Sequence, residues 1–229
     1  MTLAGGGHGT CLRSIARRPH PEESDRLAPE CPYPAAVDDC EACIDWLATH
    51  DEELGIDMGK LVVIGDSAGG SLANAMVMRG ARTHPVELVV TMYAVIDSWP
   101  PTKESDFSYK SFACLPEQEQ ACRNRIDRIR FAGADLLYTA GDAEALRNPE
   151  ICAWHADDVS MFPRTVVAYS EFDFLRCQNE RWARRLAREG VDVRCVRYCG
   201  CDHGFIERFG TQPQAEDFVD LVVEEIERL

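Results

Sequence analysis

A strand, a sharp turn and a helix follow one another between residues 61 and 76, and this stretch limits the fold more than any other. The four apolar residues Leu61–Ile64 run directly into Gly-Asp-Ser-Ala-Gly-Gly. In the spacing Gly65-x-Ser67-x-Gly69, small residues on both sides of the serine let strand and helix approach closely while the serine occupies a strained turn. An ordinary glycine-rich turn is the alternative, but the apolar run before the motif and the helical pattern after it favour a nucleophile. The stretch predicts that the Ser67 hydroxyl stands above the end of a buried strand.

Length and composition are typical of one soluble globular domain. A chain of 229 residues with 45% hydrophobic and 28% charged residues can bury a large core. No apolar stretch approaches the roughly 18 residues that span a bilayer, and the N-terminus lacks the pattern of a secretory signal. We therefore expect a single domain over residues 1–229, in the cytoplasm and without a membrane span. The net charge of −15 disfavours nucleic acid and anionic membranes as partners, because both are polyanions.

The chain has 11 cysteines, which is a high and odd number. Without a secretory signal they are better interpreted as reduced thiols than as a disulfide framework. The pattern Cys199-x-Cys201-x-His203 could begin a zinc site, but a fourth ligand with suitable spacing is not evident. We therefore expect no metal and no cofactor.

Apolar periodicity predicts strands and helices in alternation after the first 34 residues. Beyond the elbow strand, the predicted strands are 86–93, 164–169 and 191–197, and the predicted helices are 35–49, 68–82, 118–131, 180–189 and 215–229. A short helix is also predicted over Cys11–Arg18. Residues 98–161 are irregular and proline-containing, which predicts a lid or insertion segment. Strands joined through helices indicate an α/β fold, a mostly parallel, doubly wound sheet with helices on both faces.

Polar residues follow the last two predicted strands at the points where acid and base groups are expected in such a sheet. Glu171 and Asp173 follow one strand, and Asp202 and His203 follow the next. The chain order Ser67, Asp173, His203 matches that of a serine-hydrolase triad on this kind of sheet. Glu171 is the rival acid, whereas Asp202 is adjacent to the histidine and points elsewhere along an extended backbone.

These residue types predict a specific division of chemical roles. His203 takes the proton of Ser67 as the serine attacks an acyl carbonyl, and then returns it to the leaving alcohol. Asp173 fixes the imidazole tautomer and stabilises its charged form. The backbone N–H of Ala68 helps to hold the oxyanion.

The assembled motifs resemble the hormone-sensitive-lipase-like family of α/β-hydrolases, which includes carboxylesterases and arylacetamide deacetylase. The resemblance rests on four segments, Gly65–Gly70, Arg26–Leu47, Glu171–Arg176 and His203–Phe205. It implies an α/β-hydrolase fold, a small-molecule ester substrate and an oxyanion loop at residues 5–7, with Gly6 and Gly7 as amide donors. From composition alone, the three glycines would instead be interpreted as a flexible tail.

The N-terminal region departs from the family pattern. Ala4 stands where the loop histidine of the family would be. We expect the first strands of the family to be missing, and the strand before the glycine loop to be a stub at an exposed sheet edge. Such an edge makes a homodimer possible. It also predicts a poorly anchored oxyanion loop and weakened activity, since one lost donor costs about 10²–10³ in rate.

Two functions of different classes are consistent with the sequence. The first is a serine carboxylesterase that cleaves small esters through an acyl-enzyme intermediate, and its amidase variant uses the same residues. The second is a catalytically impaired or non-catalytic relative that serves as a ligand-binding or interaction protein. The complete triad favours the esterase, and the altered N-terminal region favours the alternative.

Overall fold

The computed structural model describes residues 2–4, 11–13, 26–80, 84–98, 112–129 and 134–229. The described strands are β1 (Thr2–Ala4), β2 (Cys11–Arg13), β3 (Val62–Asp66), β4 (Leu88–Met92), β5 (Arg164–Phe172) and β6 (Val193–Asp202). The described helices are α1 (Ala35–Thr49), α2 (Asp51–Leu54), α3 (Ala68–Gly80), α4 (Glu119–Ile129), α5 (Ala134–Tyr138), α6 (Arg176–Arg188) and α7 (Pro213–Glu227). The strands form one sheet in the order β2-β1-β3-β4-β5-β6.

Strands β3 to β6 pair in parallel, so their carboxyl ends lie at one edge of the sheet. Asp66 at the end of β3 pairs with Met92, and Met92 pairs with Ala168 of β5. The residue directly after each strand therefore stands in the region where ligands bind in open α/β sheets. This arrangement confirms the predicted α/β class with a mostly parallel sheet.

The start of the sheet differs from the sequence prediction. Cys11–Arg13 forms β2 rather than the first turn of a helix, and the remainder of that predicted helix lies outside the described residues. Because β2 pairs antiparallel with β1 while β3 pairs with its other side, β1 is an interior strand and not the edge stub that the sequence predicted. Both rows of β1 backbone groups thus gain partners, as buried N–H and C=O groups require. A segment of three residues has too little periodicity to reveal this pairing.

Alternate residues of the parallel strands pack on opposite faces of the sheet. On one face, residues such as Val63, Val89 and Val167 pack against α1, α3 and α6. On the other face, residues such as Ile64 and Val90 pack against α7. Helices therefore cover both faces, which explains why β3 and β4 are buried throughout.

The predicted elements are present from α1 onward, with boundary shifts of a few residues. Two of these shifts lengthen β5 to Phe172 and β6 to Asp202, past the points where the apolar pattern ends. Both extensions carry polar side chains, and they bring the strand ends to the residues that the sequence singles out for chemistry.

The described parts of segment 98–161 contain α4, α5 and several short turns. The Tyr33 N–H donates to the carbonyl of Tyr138 at 2.8 Å, and the Phe112 ring stacks on Phe172 at a centroid distance of 6.2 Å. The segment thus packs against the body of the domain, and its role as a lid stays a prediction. Among the described residues, none of the helices combines the length and the apolarity needed to cross a membrane.

Candidate active site

Ser67 occupies the strained turn that the motif predicts. It lies between the end of β3 and the start of α3, with φ at +50° although it is not glycine. A Cβ atom at Gly65 would lie 2.1 Å from the carbonyl oxygen of Gly69, so the strand and the helix meet too closely for any other residue there. The backbone N–H of Ser67 donates to the carbonyl of Met92 at 2.8 Å. These contacts hold the hydroxyl out from the end of the strand.

The three predicted triad side chains lie together above the carboxyl ends of their strands. The Ser67 hydroxyl is 2.8 Å from Nε2 of His203, and Nδ1 of His203 is 2.8 Å from Oδ2 of Asp173. A carboxylate oxygen acts as an acceptor in such a pair, so the hydrogen is assigned to Nδ1 and Nε2 is left as an acceptor for the serine hydroxyl. The arrangement can remove a proton from Ser67 as the oxygen attacks an electrophile.

Asp173 is the acid that the structure places beside the histidine. Its side chain is fully buried. Its second carboxylate oxygen accepts the backbone N–H of Leu175 at 2.8 Å. A buried carboxylate is stable only where its oxygens are hydrogen-bonded, and here each has a donor. The carboxylate is thereby fixed in the orientation that holds the imidazole.

The two other carboxylates that the sequence singles out near the ends of β5 and β6 are turned away from the imidazole. Glu171 accepts the backbone N–H of Gly200 at 2.9 Å. Asp202 forms an ion pair with Arg208 at 3.3 Å. The structure therefore brings neither of these residues into the position of the acid, although Glu171 is only two residues from Asp173.

The imidazole of His203 is enclosed by aromatic rings. The Tyr93 ring lies 4.7 Å from it and the Phe174 ring 5.6 Å, both as centroid distances. The Tyr93 hydroxyl donates to Oδ2 of Asp66 at 3.2 Å, which places a second buried carboxylate next to the nucleophile. These rings pack against the imidazole and limit its movement away from Ser67 and Asp173.

The surroundings of His203 raise its pKa above the ordinary 6.5. Burial is the largest influence and lowers the pKa, because it disfavours the charged ring. The hydrogen bond to Asp173 and the charges of Asp173, Asp66 and Glu207 act in the opposite direction and outweigh burial. An imidazolium that forms during a reaction is thus stabilised by its neighbours.

Ala68 is the first residue of α3 and is exposed. The first N–H groups of a helix have no acceptor within the helix and favour negative charge. The Ala68 N–H is therefore available, one residue after Ser67, to an oxygen that gains charge. The two other predicted oxyanion donors, Gly6 and Gly7, lie outside the described residues.

The cysteines near His203 do not combine with it as metal ligands. The Cys201 sulfur is the acceptor of a hydrogen bond from the Gln212 side chain at 3.0 Å, and both ring nitrogens of His203 face Ser67 and Asp173. Within the part of the chain that the structure describes, no group of three or more His, Cys, Asp or Glu side chains could hold a metal ion.

Sequence reasoning missed the pair formed by Tyr93 and Asp66. Tyr93 was assigned only to the end of a buried strand, but its positive φ of +37° turns it toward the histidine. The available signal was positional, since Tyr93 is the first residue after β4, equivalent to Ser67 after β3.

A model of a protein family with the α/β-hydrolase fold matches residues 25–207 of the sequence. The chain is an α/β-hydrolase. This match, together with the esterases among its relatives, confirms the resemblance to the hormone-sensitive-lipase-like branch.

Similar proteins are named as esterases. Over 194 residues this α/β-hydrolase is 31% identical to Esterase LipI of Mycobacterium tuberculosis. The aligned region covers 84% of this chain and 57% of the relative. It is also 31% identical over 207 residues to an arylesterase of Saccharolobus solfataricus, covering 88% of this chain and 62% of the relative. The chain thus spans about three fifths of the length of these relatives.

A solved esterase has a similar fold. The esterase of Pyrobaculum calidifontis superposes with a TM-score of 0.73 at 27% sequence identity. The superposition covers 90% of this α/β-hydrolase and 64% of that chain.

Proposed function

We propose that this protein is a serine hydrolase that cleaves small carboxylic esters through an acyl-enzyme intermediate. The observation that carries the proposal is the continuous hydrogen-bonded chain from Ser67 through His203 to the buried Asp173. The esterases among its relatives support the choice of ester as the substrate class.

The proposed reaction has two halves. In the first, Nε2 of His203 takes the Ser67 proton as the serine oxygen attacks the ester carbonyl, and the same proton passes to the departing alcohol. In the second, His203 takes a proton from the water that attacks the acyl-serine, and it returns this proton to the Ser67 oxygen as the carboxylic acid leaves. Asp173 holds the tautomer that each half requires and stabilises the imidazolium.

The proposed oxyanion site combines the Ala68 N–H with the amides of Gly6 and Gly7. Support for Ala68 comes from its position at the start of α3, where a helix terminus favours negative charge. Support for the two glycines comes from the family resemblance. Preorganised donors of this kind each contribute about 10²–10³ in rate.

Hydrolysis of p-nitrophenyl acetate or butyrate tests the proposal. We expect wild-type protein to release p-nitrophenol and Ser67→Ala to lose activity by about 10⁶-fold in kcat, because the nucleophile is absent. Ser160→Ala is the matched control, since Ser160 is exposed and precedes β5 at the opposite end of the sheet. A fluorophosphonate probe should label wild type and Ser160→Ala but not Ser67→Ala. Equal hydrolysis by all three proteins, or no labelling of wild type, would favour the non-catalytic alternative.

We also propose that the protein works in the cytoplasm. The support is that none of the cysteines whose side chains the structure describes is joined in a disulfide, as expected of proteins in reducing compartments.

A homodimer through the outer edge of β2 is a further proposal. Its support is the position of β2 at the edge of the described sheet, since edge strands present unpaired backbone groups. Sedimentation velocity at increasing protein concentration measures the assembly directly.

A further inference from the structure

The pairing of β5 with β6 is irregular just before His203. The offset between the two strands is constant up to the pair Ser170 and Tyr198, but the next pair is Phe172 and Asp202. Two extra residues of β6 therefore lie opposite the end of β5, as in a β-bulge. Because Asp202 directly precedes His203, this bulge sets the point at which the imidazole leaves the sheet.

Two consecutive side chains of β5 bind the bulged segment. The carboxylate of Glu171 accepts the backbone N–H of Gly200 at 2.9 Å, and the hydroxyl of Ser170 donates to the carbonyl of Asp202 at 2.8 Å. Gly200 has a φ of +77°, so the backbone turns here in a conformation that glycine adopts without strain. Side chains thus bind the backbone groups of the bulge at its middle and at its end.

Neither contact is explained by the chemistry assigned to the triad. Glu171 has the sequence position of a rival acid, yet its carboxylate faces the bulge and not the histidine. Ser170 is fully buried beneath the segment that carries the histidine. The two residues lie near the end of β5, which Asp173 directly follows, so they connect the strand that leads to the acid with the segment that carries the base.

We propose that Ser170 and Glu171 are positioning residues, which hold the bulge of β6 so that His203 meets Ser67 and Asp173 at the same time. This inference rests on the proposed function in one respect, because the kinetic effect requires His203 to be the base. A displaced imidazole loses rate steeply, since a misplacement of about 1 Å can cost about 10²-fold.

Four variants separate positioning from general stability. Glu171→Ala and Ser170→Ala each remove one contact. Glu171→Gln keeps an amide oxygen that can accept the Gly200 N–H. Glu189→Ala is the matched control, because Glu189 also accepts a backbone N–H, from Val159 at 3.2 Å, at a site far from the triad. Thermal unfolding of each variant sets a temperature at which all of them are folded.

We expect both alanine variants at the bulge to lower kcat by about 10- to 100-fold while KM stays within about twofold, because the acyl transfer steps and not ester binding need the aligned imidazole. Glu171→Gln should stay within about threefold of wild type, and Glu189→Ala should match wild type. The inference fails if either alanine variant has the kcat of Glu189→Ala, or if Glu171→Gln falls as far as Glu171→Ala.

Proton NMR provides a readout that does not depend on turnover. The His203 proton shared with Asp173 should give a low-field resonance that is absent in Asp173→Ala. We expect this resonance to weaken or move in both alanine variants at the bulge and to persist in Glu171→Gln and Glu189→Ala. An unchanged resonance in the alanine variants would overturn the positioning role. If wild type shows the resonance but no Ser67-dependent hydrolysis, the proposed function fails while this readout still decides the role of the bulge.

Discussion

At the scale of single residues, the site depends on a few side chains whose surroundings leave one orientation open. Asp173 has a donor on each carboxylate oxygen, and His203 lies between the rings of Tyr93 and Phe174. The orientation of the imidazole is therefore set by packing as well as by the hydrogen bond to Asp173. The same neighbours shift its acid-base equilibrium.

The raised pKa of His203 leads to a prediction about pH. The base must be neutral to accept a proton, so kcat/KM should fall as the pH drops through the pKa of His203, with a midpoint above 6.5. The charge of Glu207 contributes to the upward shift, so Glu207→Gln should move this midpoint to lower pH and leave the plateau at high pH unchanged. Glu189→Gln, which removes a distant carboxylate, should leave the midpoint in place. A midpoint that does not move in Glu207→Gln would contradict the electrostatic explanation.

At the scale of elements, the sequence predicted more of the parallel part of the sheet than of its ends. The run Leu61–Ile64 identified β3 because a strand buried on both faces is continuously apolar. By contrast, β2 has three residues and no period, so its pairing with β1 could not be predicted. The bulge between β5 and β6 could not be predicted either, because it depends on contacts of Ser170 and Glu171 with a different strand.

The site shows the same division between what local sequence determines and what it does not. The elbow glycines and the order of Ser67, Asp173 and His203 are local patterns, and they led to the three side chains that the structure brings together. The contact of Tyr93 with the imidazole depends on a backbone angle that no propensity of tyrosine indicates. The contacts that depend on long-range geometry could therefore not be predicted from the sequence.

The closing helix α7 is held to the sheet by a buried carboxylate. The Glu225 side chain is fully buried and forms ion pairs with Arg194 at 2.7 Å and with Arg228 at 3.1 Å, and it also pairs with Arg164 at the start of β5. Burial acts to raise the pKa of Glu225, but the hydrogen bonds from Arg194 and Arg164 outweigh it and hold the pKa below 4.5. This lowered pKa means that the ionised form stabilises the fold. The contribution is present above pH 4.5 and is lost as the pH falls through the lower pKa of the folded state.

Removal of this carboxylate should weaken the fold without affecting the chemistry. Glu225→Ala should lower the free energy of unfolding by about 1–3 kcal/mol, less than for a fully buried pair, because the partner arginines are partly exposed and can turn to water. Denaturant unfolding at pH 7 measures this loss, and the difference from wild type should shrink below pH 4. Glu227→Ala, an exposed carboxylate on the same helix, is the control. A loss of kcat in folded Glu225→Ala would contradict the separation of this end of the sheet from the site.

At the scale of the whole molecule, the two ends of the parallel strands serve different purposes. The amino ends carry the ion pairs around Arg164 and Glu225, and the carboxyl ends carry the residues proposed for catalysis. A net charge of −15 adds a negative field around the protein, which favours uncharged molecules over anionic ones as encounter partners.

The lack of disulfides among the cysteines whose side chains are described leads to a prediction for the intact protein. In denaturant without reductant, a thiol reagent should titrate all 11 cysteines, because none is expected to be in a disulfide. In the native protein, exposed Cys199 should react first. Cys152 and Cys201 should react only on unfolding, since burial raises their pKa values to about 12 and about 11. Fewer than ten titrated thiols in denaturant, or a melting temperature that falls on adding reductant, would contradict this result.

Each of the three residues proposed for catalysis is the residue next to a strand end, after Asp66, Phe172 and Asp202. The length of each hydrogen-bonded strand therefore sets the position of the residue that follows it. One residue more or fewer within such a strand would shift its group by about 3.3 Å and turn it to the other face of the sheet. Changes of chain length that spare the chemistry are thus confined to the loops at the far ends of these strands.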